Sequence, residues 1–315
     1  MAEALLAILA AAAPASTAIL LAAMGGLINR QGGIVNIGLE AKMLVGAFAA
    51  VVVCAATGSP WLGILAAGTA GGLVGLLFSW SITRLGANEI IAGLGLNLLM
   101  VGLFGYLLPV AYGVEGTLIP KGLVGLPPIR IPFVDQLPAL GPILSGLDAL
   151  TYLSWLSVPL VWLFLYRTTA GIALRATGAN EEAARAAGLP SLWIRDLSTV
   201  AAGIFAGVAG AQLSLGVVTL FNKNMTGGRG FIALAAFYFG DARPGLTALA
   251  AFIFGIFESA SFRLQSSGLP PQIVQMLPYL VVVLSLSGVA LRRHWQAHRL
   301  AEASLPRAPE APSAS

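Results

Sequence analysis

The chain has a single cysteine, Cys54. That excludes internal disulfides and leaves no thiolate cluster for a metal; behind Val51, Val52 and Val53 it reads as a small buried hydrophobe. Charge is almost as scarce, at 10% of residues against 57% hydrophobic, with a mean hydropathy of +0.87. A soluble domain carries about 25% charged residues, so this composition could not cover a soluble surface. The expected class is an all-α, polytopic transmembrane helical bundle. Its 315 residues have room for roughly nine segments of about 20 residues each. No hydrophilic region is large enough for a separate soluble domain.

Catalytic groups are missing too. The two histidines, His294 and His298, fall in a basic C-terminal stretch without a carboxylate or thiolate partner. They read as interfacial residues ahead of a shared metal site, and no metal is expected. There is no His-Glu-x-x-His or Gly-x-Ser-x-Gly motif. The lysines are Lys42, Lys121 and Lys223, and none follows a glycine-rich phosphate cradle, so the chain is expected neither to hydrolyse ATP nor to act as an enzyme. Buried acids of the kind used by ion-coupled carriers are nearly absent. Glu258 is the clear candidate, and it is read either as a proton site or as a partner for Arg263. The net charge of +4 comes from basic residues scattered singly, which mark topology and not nucleic-acid binding.

What is present is a series of apolar runs. Spans are expected at 5–24, 43–57, 61–83, 89–110, 149–166, 197–220, 246–262 and 273–289. The first lacks the basic residues of a cleaved signal and is read as a retained span. Arg30 with Lys42, Arg84, the group Arg167, Arg175, Arg185 and Arg195, and the tail Arg292, Arg293 and Arg299 mark cytoplasmic sides. The N-terminus is then outside, and Lys121 and Arg130 lie in an external Pro- and Gly-rich stretch, 109–146. Returning from residue 220 to a cytoplasmic tail needs an odd number of crossings. The run 231–239 must help, although nine residues cannot span. Such broken helices often line a transport path, which makes Thr226, Arg229, Phe231 and Phe237 path candidates; the alternative is a re-entrant turn without a role. Residues 1–291 are read as one membrane domain and 292–315 as a disordered tail.

Polar residues inside these spans need a reason. Asn36, Glu40 and Asn97 stand at or near span entrances, where they either bond across the bundle or face a polar solute. Gly68, Gly71, Gly72 and Gly75 form a face suited to close helix packing. In the loop 168–190, Asn180 is a helix N-cap followed by Glu181 and Glu182, and the segment EEAARAAG makes a short helix stopped at Gly188 and Pro190. It is read either as a piece that docks into a partner's groove or as a connector. The sequence GANE before it also occurs at 86–89.

GLINRQGGIVNIGLEAKM at 26–43, GANEIIAGLGLNLL at 86–99, GIALRATGANEEAARAAG at 171–188, MTGGRGFIALAAFYFG at 225–240 and MLPYL at 276–280 are ordered along the chain. With them the chain resembles the permease subunits of bacterial ATP-driven (ABC) importers for simple sugars and nucleosides, within the wider group of ribose and branched-chain amino acid permeases. The late motifs point to the nucleoside and simple-sugar branch. This resemblance implies a type II-like importer permease in the bacterial inner (cytoplasmic) membrane, and a separate ATPase that holds ATP and Mg. It further implies a second, homologous permease subunit and an extracellular or periplasmic binding protein. The solute is expected to be a nucleoside, a purine first, with a simple sugar as the alternative.

The same resemblance assigns ATPase coupling to Arg175, Gly178, Asn180, Glu182, Ala183, Ala184 and Gly188. The family pattern is kept at Leu174, Arg175, Ala176, Gly178, Asn180, Ala183 and Ala184. Ala179 and Glu181 replace its usual glutamate and proline, and Ala41 its usual glycine. Ala184→Asp is expected to sever the ATPase while leaving the fold intact.

Overall fold

The computed structural model describes residues 2–132, 141–265 and Leu280. The expected span 273–289, the motif at 276–279, the tail 292–315 with both histidines and the side chain of Arg263 lie outside the described residues. Within them the chain is all-α, and seven helices are long and apolar enough to cross a membrane. The helices are α1 (Ala2–Gln31), α2 (Leu39–Thr57), α3 (Pro60–Thr83), α4 (Glu89–Leu107), α5 (Gly141–Leu144), α6 (Ala149–Arg167), α7 (Thr169–Ala179), α8 (Glu181–Ala186), α9 (Ser191–Ala211), α10 (Arg229–Phe239) and α11 (Pro244–Gln265). Helices α4 and α9 continue as π-helical turns, Leu108–Tyr112 and Gln212–Val217. The Pro- and Gly-rich stretch 109–146 supplies two two-residue strands: β1 (Thr117–Leu118) pairs antiparallel with β4 (Phe221–Asn222), and β2 (Pro128–Ile129) with β3 (Leu147–Asp148).

Helix α1 is the hub, with 83% of its membrane-length window buried and α6, α9, α10 and α11 packed around it. The glycine face of α3 does what its spacing predicts. A Cβ on Gly71 would lie 2.3 Å from the Gly203 carbonyl oxygen, and one on Gly75 would lie 2.7 Å from that of Thr199. The facing glycines, Gly203, Gly207 and Gly210 on α9, let α2 and α3 approach α9 backbone to backbone, where dispersion replaces the hydrophobic drive that a bilayer lacks. The α3–α9 pair ends in a polar knot. Asp196 accepts from Ser79 Oγ (2.5 Å), Thr83 Oγ1 (2.9 Å) and Arg84 Nη2 (2.8 Å).

The ends carrying Arg30, Arg84 and Arg167 gather with α7 and α8 into one basic pole. Contacts fix the direction of each helix relative to α1. Asn29 donates to Ser198 and Thr199 while Gly25 meets Ala202, so α9 runs away from this pole. Phe237 meets Gly26, and the Ala242 carbonyl accepts from Gln31 Nε2 (2.9 Å), so α10 runs back toward it. Ser16 meets Gly255 and the Ile8 carbonyl accepts from Ser259 Oγ (3.1 Å), so α11 leaves it again. Helix α10 thus runs back toward the basic pole, the direction that the crossing count requires.

Candidate translocation and coupling sites

Between α1 and α2 the chain is not helical. Gly33, at φ +81°, ends α1, and no helix resumes until Leu39. The unwound residues climb along α4. The Val35 N–H donates to Glu89 Oε2 (2.9 Å), Gly93 lies against Gly38, and Asn97 donates to the Ile37 carbonyl (3.1 Å) while accepting from the Ala41 N–H (3.0 Å). Glu89 to Asn97 spans about 12 Å of helix. Glu40 therefore stands at depth, where exposed backbone would be untenable in lipid and is sheltered by protein instead. Lys42, fully buried, donates to Asn36 Oδ1 (2.6 Å) and lies 4.0 Å from the centroid of the Phe78 ring. In bilayers such side-chain bonds contribute only about 0.6 kcal/mol on average. Their effect here is to fix the course of an irregular chain.

Helix α10 has 11 residues, roughly 16 Å, half of a hydrocarbon core of about 30 Å. Its first turn meets Glu40: the Gly228 N–H donates to Oε1 and the Gly230 N–H to Oε2, both at 2.7 Å. One carboxylate thus satisfies two orphan donors and complements the positive end of the helix dipole. Gly230 has no room for a side chain, since a Cβ would lie 2.5 Å from the Glu40 nitrogen. Arg229 turns the other way. Its Nε donates to Glu258 Oε1 (2.7 Å), Nη2 reaches the same oxygen, and Nη1 holds the carbonyls of Met225 (3.0 Å) and Thr226 (3.3 Å).

The structure therefore gathers Glu40, Thr226 and Arg229 at the start of the half-helix, with Asn36 and Asn97 bracing the chain that delivers Glu40. Phe231 is 40% exposed at the same end, whereas Phe237 is fully buried, stacked on Tyr238 and packed on Gly26, away from any open surface of this subunit. Glu258 pairs with Arg229 on a different helix, and no local spacing could have revealed that partner.

At the basic pole, Asn180 caps α8 as its position predicts, accepting from the Ala183 N–H at 2.9 Å. The earlier GANE does the same for α4, with Asn88 accepting from Ile90 and Ile91. Glu181, which departs from the family pattern, binds Arg185 and Arg195, both at 2.5 Å, and so ties α8 to α9. Arg175 is turned back on α6, donating to the Leu165 carbonyl (3.0 Å) and lying 4.8 Å over the Tyr166 ring. Gly178 faces inward against Gln31 and Gly33.

The expectation for Ala184 is corrected here. Ala184 is 5% exposed and faces the subunit's own interior, so aspartate there would disturb this chain before any partner. The outward residues of α8 and its exit are Glu182, Ala183, Arg185, Ala186, Ala187 and Gly188.

Residues 8–286 match the family model described as the permease component of branched-chain amino acid transport systems. TsgC13 of Haloferax volcanii, an ABC transporter permease whose assignment to glucose is provisional, is 34% identical over 309 residues, 90% of this chain and 92% of its own length. The nucleoside ABC transporter permease NupC of Lactococcus lactis is 32% identical (86% of this chain and 88% of NupC). The guanosine ABC transporter permease NupQ of Bacillus subtilis is 30% identical, with the same coverage. An apolar bundle with a short half-helix and a capped helix between two of its long helices agrees with these matches. The chain belongs to this family of ABC-transporter permease components, which are transport subunits and not enzymes.

Proposed function

We propose that this permease forms the membrane path of an ATP-driven importer in the cytoplasmic membrane, with the basic pole on the cytoplasmic side. A separate ATPase, holding ATP and Mg, docks on α8, a second homologous permease completes the path, and a binding protein delivers solute from outside. One observation carries the docking assignment. Helix α8 is capped by Asn180 and braced to α9 through Glu181, yet it leaves Glu182, Ala183 and Ala186 unburied. A mere connector would need neither the brace nor outward alanines set beside Glu182 and Arg185. The pairing of Glu258 Oε1 with Arg229 supports the ATP-driven reading over a proton-coupled carrier.

Ala183→Asp is the direct test. An acid in the first turn suits the helix dipole, so α8 should persist, while the charge enters the partner's groove. A penalty of about 2 kcal/mol weakens binding roughly thirtyfold. The expected result is an intact membrane protein that no longer copurifies with its ATPase. Retained copurification with normal ATP-dependent uptake would return α8 to the role of a connector.

The proposed solute is a nucleoside, a purine first. NupC and NupQ support this reading, and the exposed Phe231 in the first turn of the half-helix offers a face on which a base could stack. The likeness to TsgC13 favours a simple sugar as the second reading. Titration of the cognate binding protein decides between them. Micromolar or tighter binding of a purine nucleoside is expected, and binding of a pentose or hexose with none for any nucleoside would replace the first reading by the second.

A further inference from the structure

Residues 31–40 touch α10 at both of its ends. Gln31 Nε2 donates to the Ala242 carbonyl just past its C-terminus, and Glu40 holds the Gly228 and Gly230 N–H groups at its N-terminus. The half-helix lies between irregular joints. Gly227 and Gly228 precede it at φ +50° and +81°, and Asp241 and Ala242 follow it at +49° and +51°. The segment that clasps it is itself held to α4 through Glu89 and Asn97. It meets α7 at one point without slack: a Cβ on Gly178 would stand 2.1 Å from the Gln31 carbonyl oxygen and 2.7 Å from the Gly33 nitrogen. Backbone presses on backbone there, and no flexible side chain intervenes to absorb a displacement.

We propose that residues 31–40 are a rigid clasp that carries movement of α7 and α8 to the half-helix α10, with Glu40 as the positioning residue that couples ATP hydrolysis to opening of the path. This rests on the importer reading above. A push at Gly178 reaches Gln31 and Gly33 directly. The unwound segment is restrained, because its Val35 N–H and Ile37 carbonyl are bonded to α4 and Asn36 to Lys42. Its far end is the Glu40 carboxylate, whose paired bonds fix the start of α10. The glycine joint at 227–228 lets α10 follow without refolding α9.

Reconstitution with the ATPase, the second permease and the binding protein tests this, reading both ATP hydrolysis and uptake of tritiated purine nucleoside, or of glucose where the binding protein selects it. Glu40→Gln keeps the shape but turns an N–H donor toward the α10 donors, so one bond of the pair and the charge are lost. Uptake is expected to fall at least tenfold with ATP hydrolysis within twofold of wild type, raising the ATP consumed per solute about tenfold. A merely structural role would lower both in parallel and leave that ratio unchanged, which overturns the proposal, as does uptake within twofold of wild type. If Glu40→Gln does not assemble, Gln31→Ala decides, since it removes the donor to the Ala242 carbonyl at the other end of α10 and introduces no clash. The same rise in the ratio supports the clasp, and an unchanged ratio overturns it. Failure of ATP-dependent uptake by the wild-type complex is a separate outcome that sinks the importer reading itself.

Discussion

Gly207→Leu is expected to leave little folded protein. A Cβ at Gly207 would lie 2.1 Å from the Ala67 carbonyl oxygen, and the Cβ positions of Gly46 and Gly71 come within 2.4 and 2.8 Å of the Gly207 Cα. Three helices meet there through backbone atoms that no rotamer change can move aside. Overpacking of an ordinary core costs about 1–3 kcal/mol, and here α2 and α3 must both separate from α9. A loss of about 3 kcal/mol or more is a large share of a typical total of 5–15 kcal/mol. Gly102→Leu on α4 is the matched control, since nothing lies within 4 Å of its Cβ position. Size-exclusion chromatography and thermal melting in detergent should show Gly102→Leu near wild type. Gly207→Leu should be aggregated or melt lower by on the order of 6 °C or more. Equal behaviour of the two variants would show that the α2–α3–α9 crossing does not depend on its glycines.

Arg229→Ala is the second large effect. It strands the Glu258 carboxylate, whose side chain is 10% exposed, and frees the carbonyls of Met225 and Thr226 in the same step. Removing one partner of a buried ion pair typically costs about 3–5 kcal/mol, because an uncompensated charge remains. Replacing both partners with apolar residues removes that charge. Arg229→Met with Glu258→Leu should therefore be more stable than Arg229→Ala, although two charges are gone. Thermal midpoints of the two variants beside wild type supply the measurement. A double variant no more stable than Arg229→Ala would mean that the pair is not what secures the start of α10.

Several parts of this molecule were legible without coordinates. Asn180 and Asn88 cap helices because a short amide followed by acids does so locally, and Gly71 and Gly75 face a partner helix because their spacing alone places them on one side. The direction of α10, back toward the basic pole, agrees with the count of basic loops. Other parts were not legible. Ala184 and Ala183 are neighbours of the same type, and only packing against the rest of the subunit decides which of them is buried. The glycines of α9 that receive α3 carry no mark in their own segment to say which helix they meet. Arg229 and Glu258 are 29 residues apart on separate helices, a relation that no periodicity encodes.

The sequence by itself determined the class, seven of the long apolar helices and the short helix α8, because apolar composition and helix capping depend on residues close together in the chain. Tertiary structure alone decided which partners the buried polar residues meet. Asn36, Glu40 and Asn97 could have faced a solute or the protein. In the folded chain Asn36 binds Lys42, Asn97 braces residues 37–41, and Glu40 caps a half-helix 188 residues further along. Those partners are set by how helices cross, and a polar group buried in a bilayer is defined by its partner more than by its own identity.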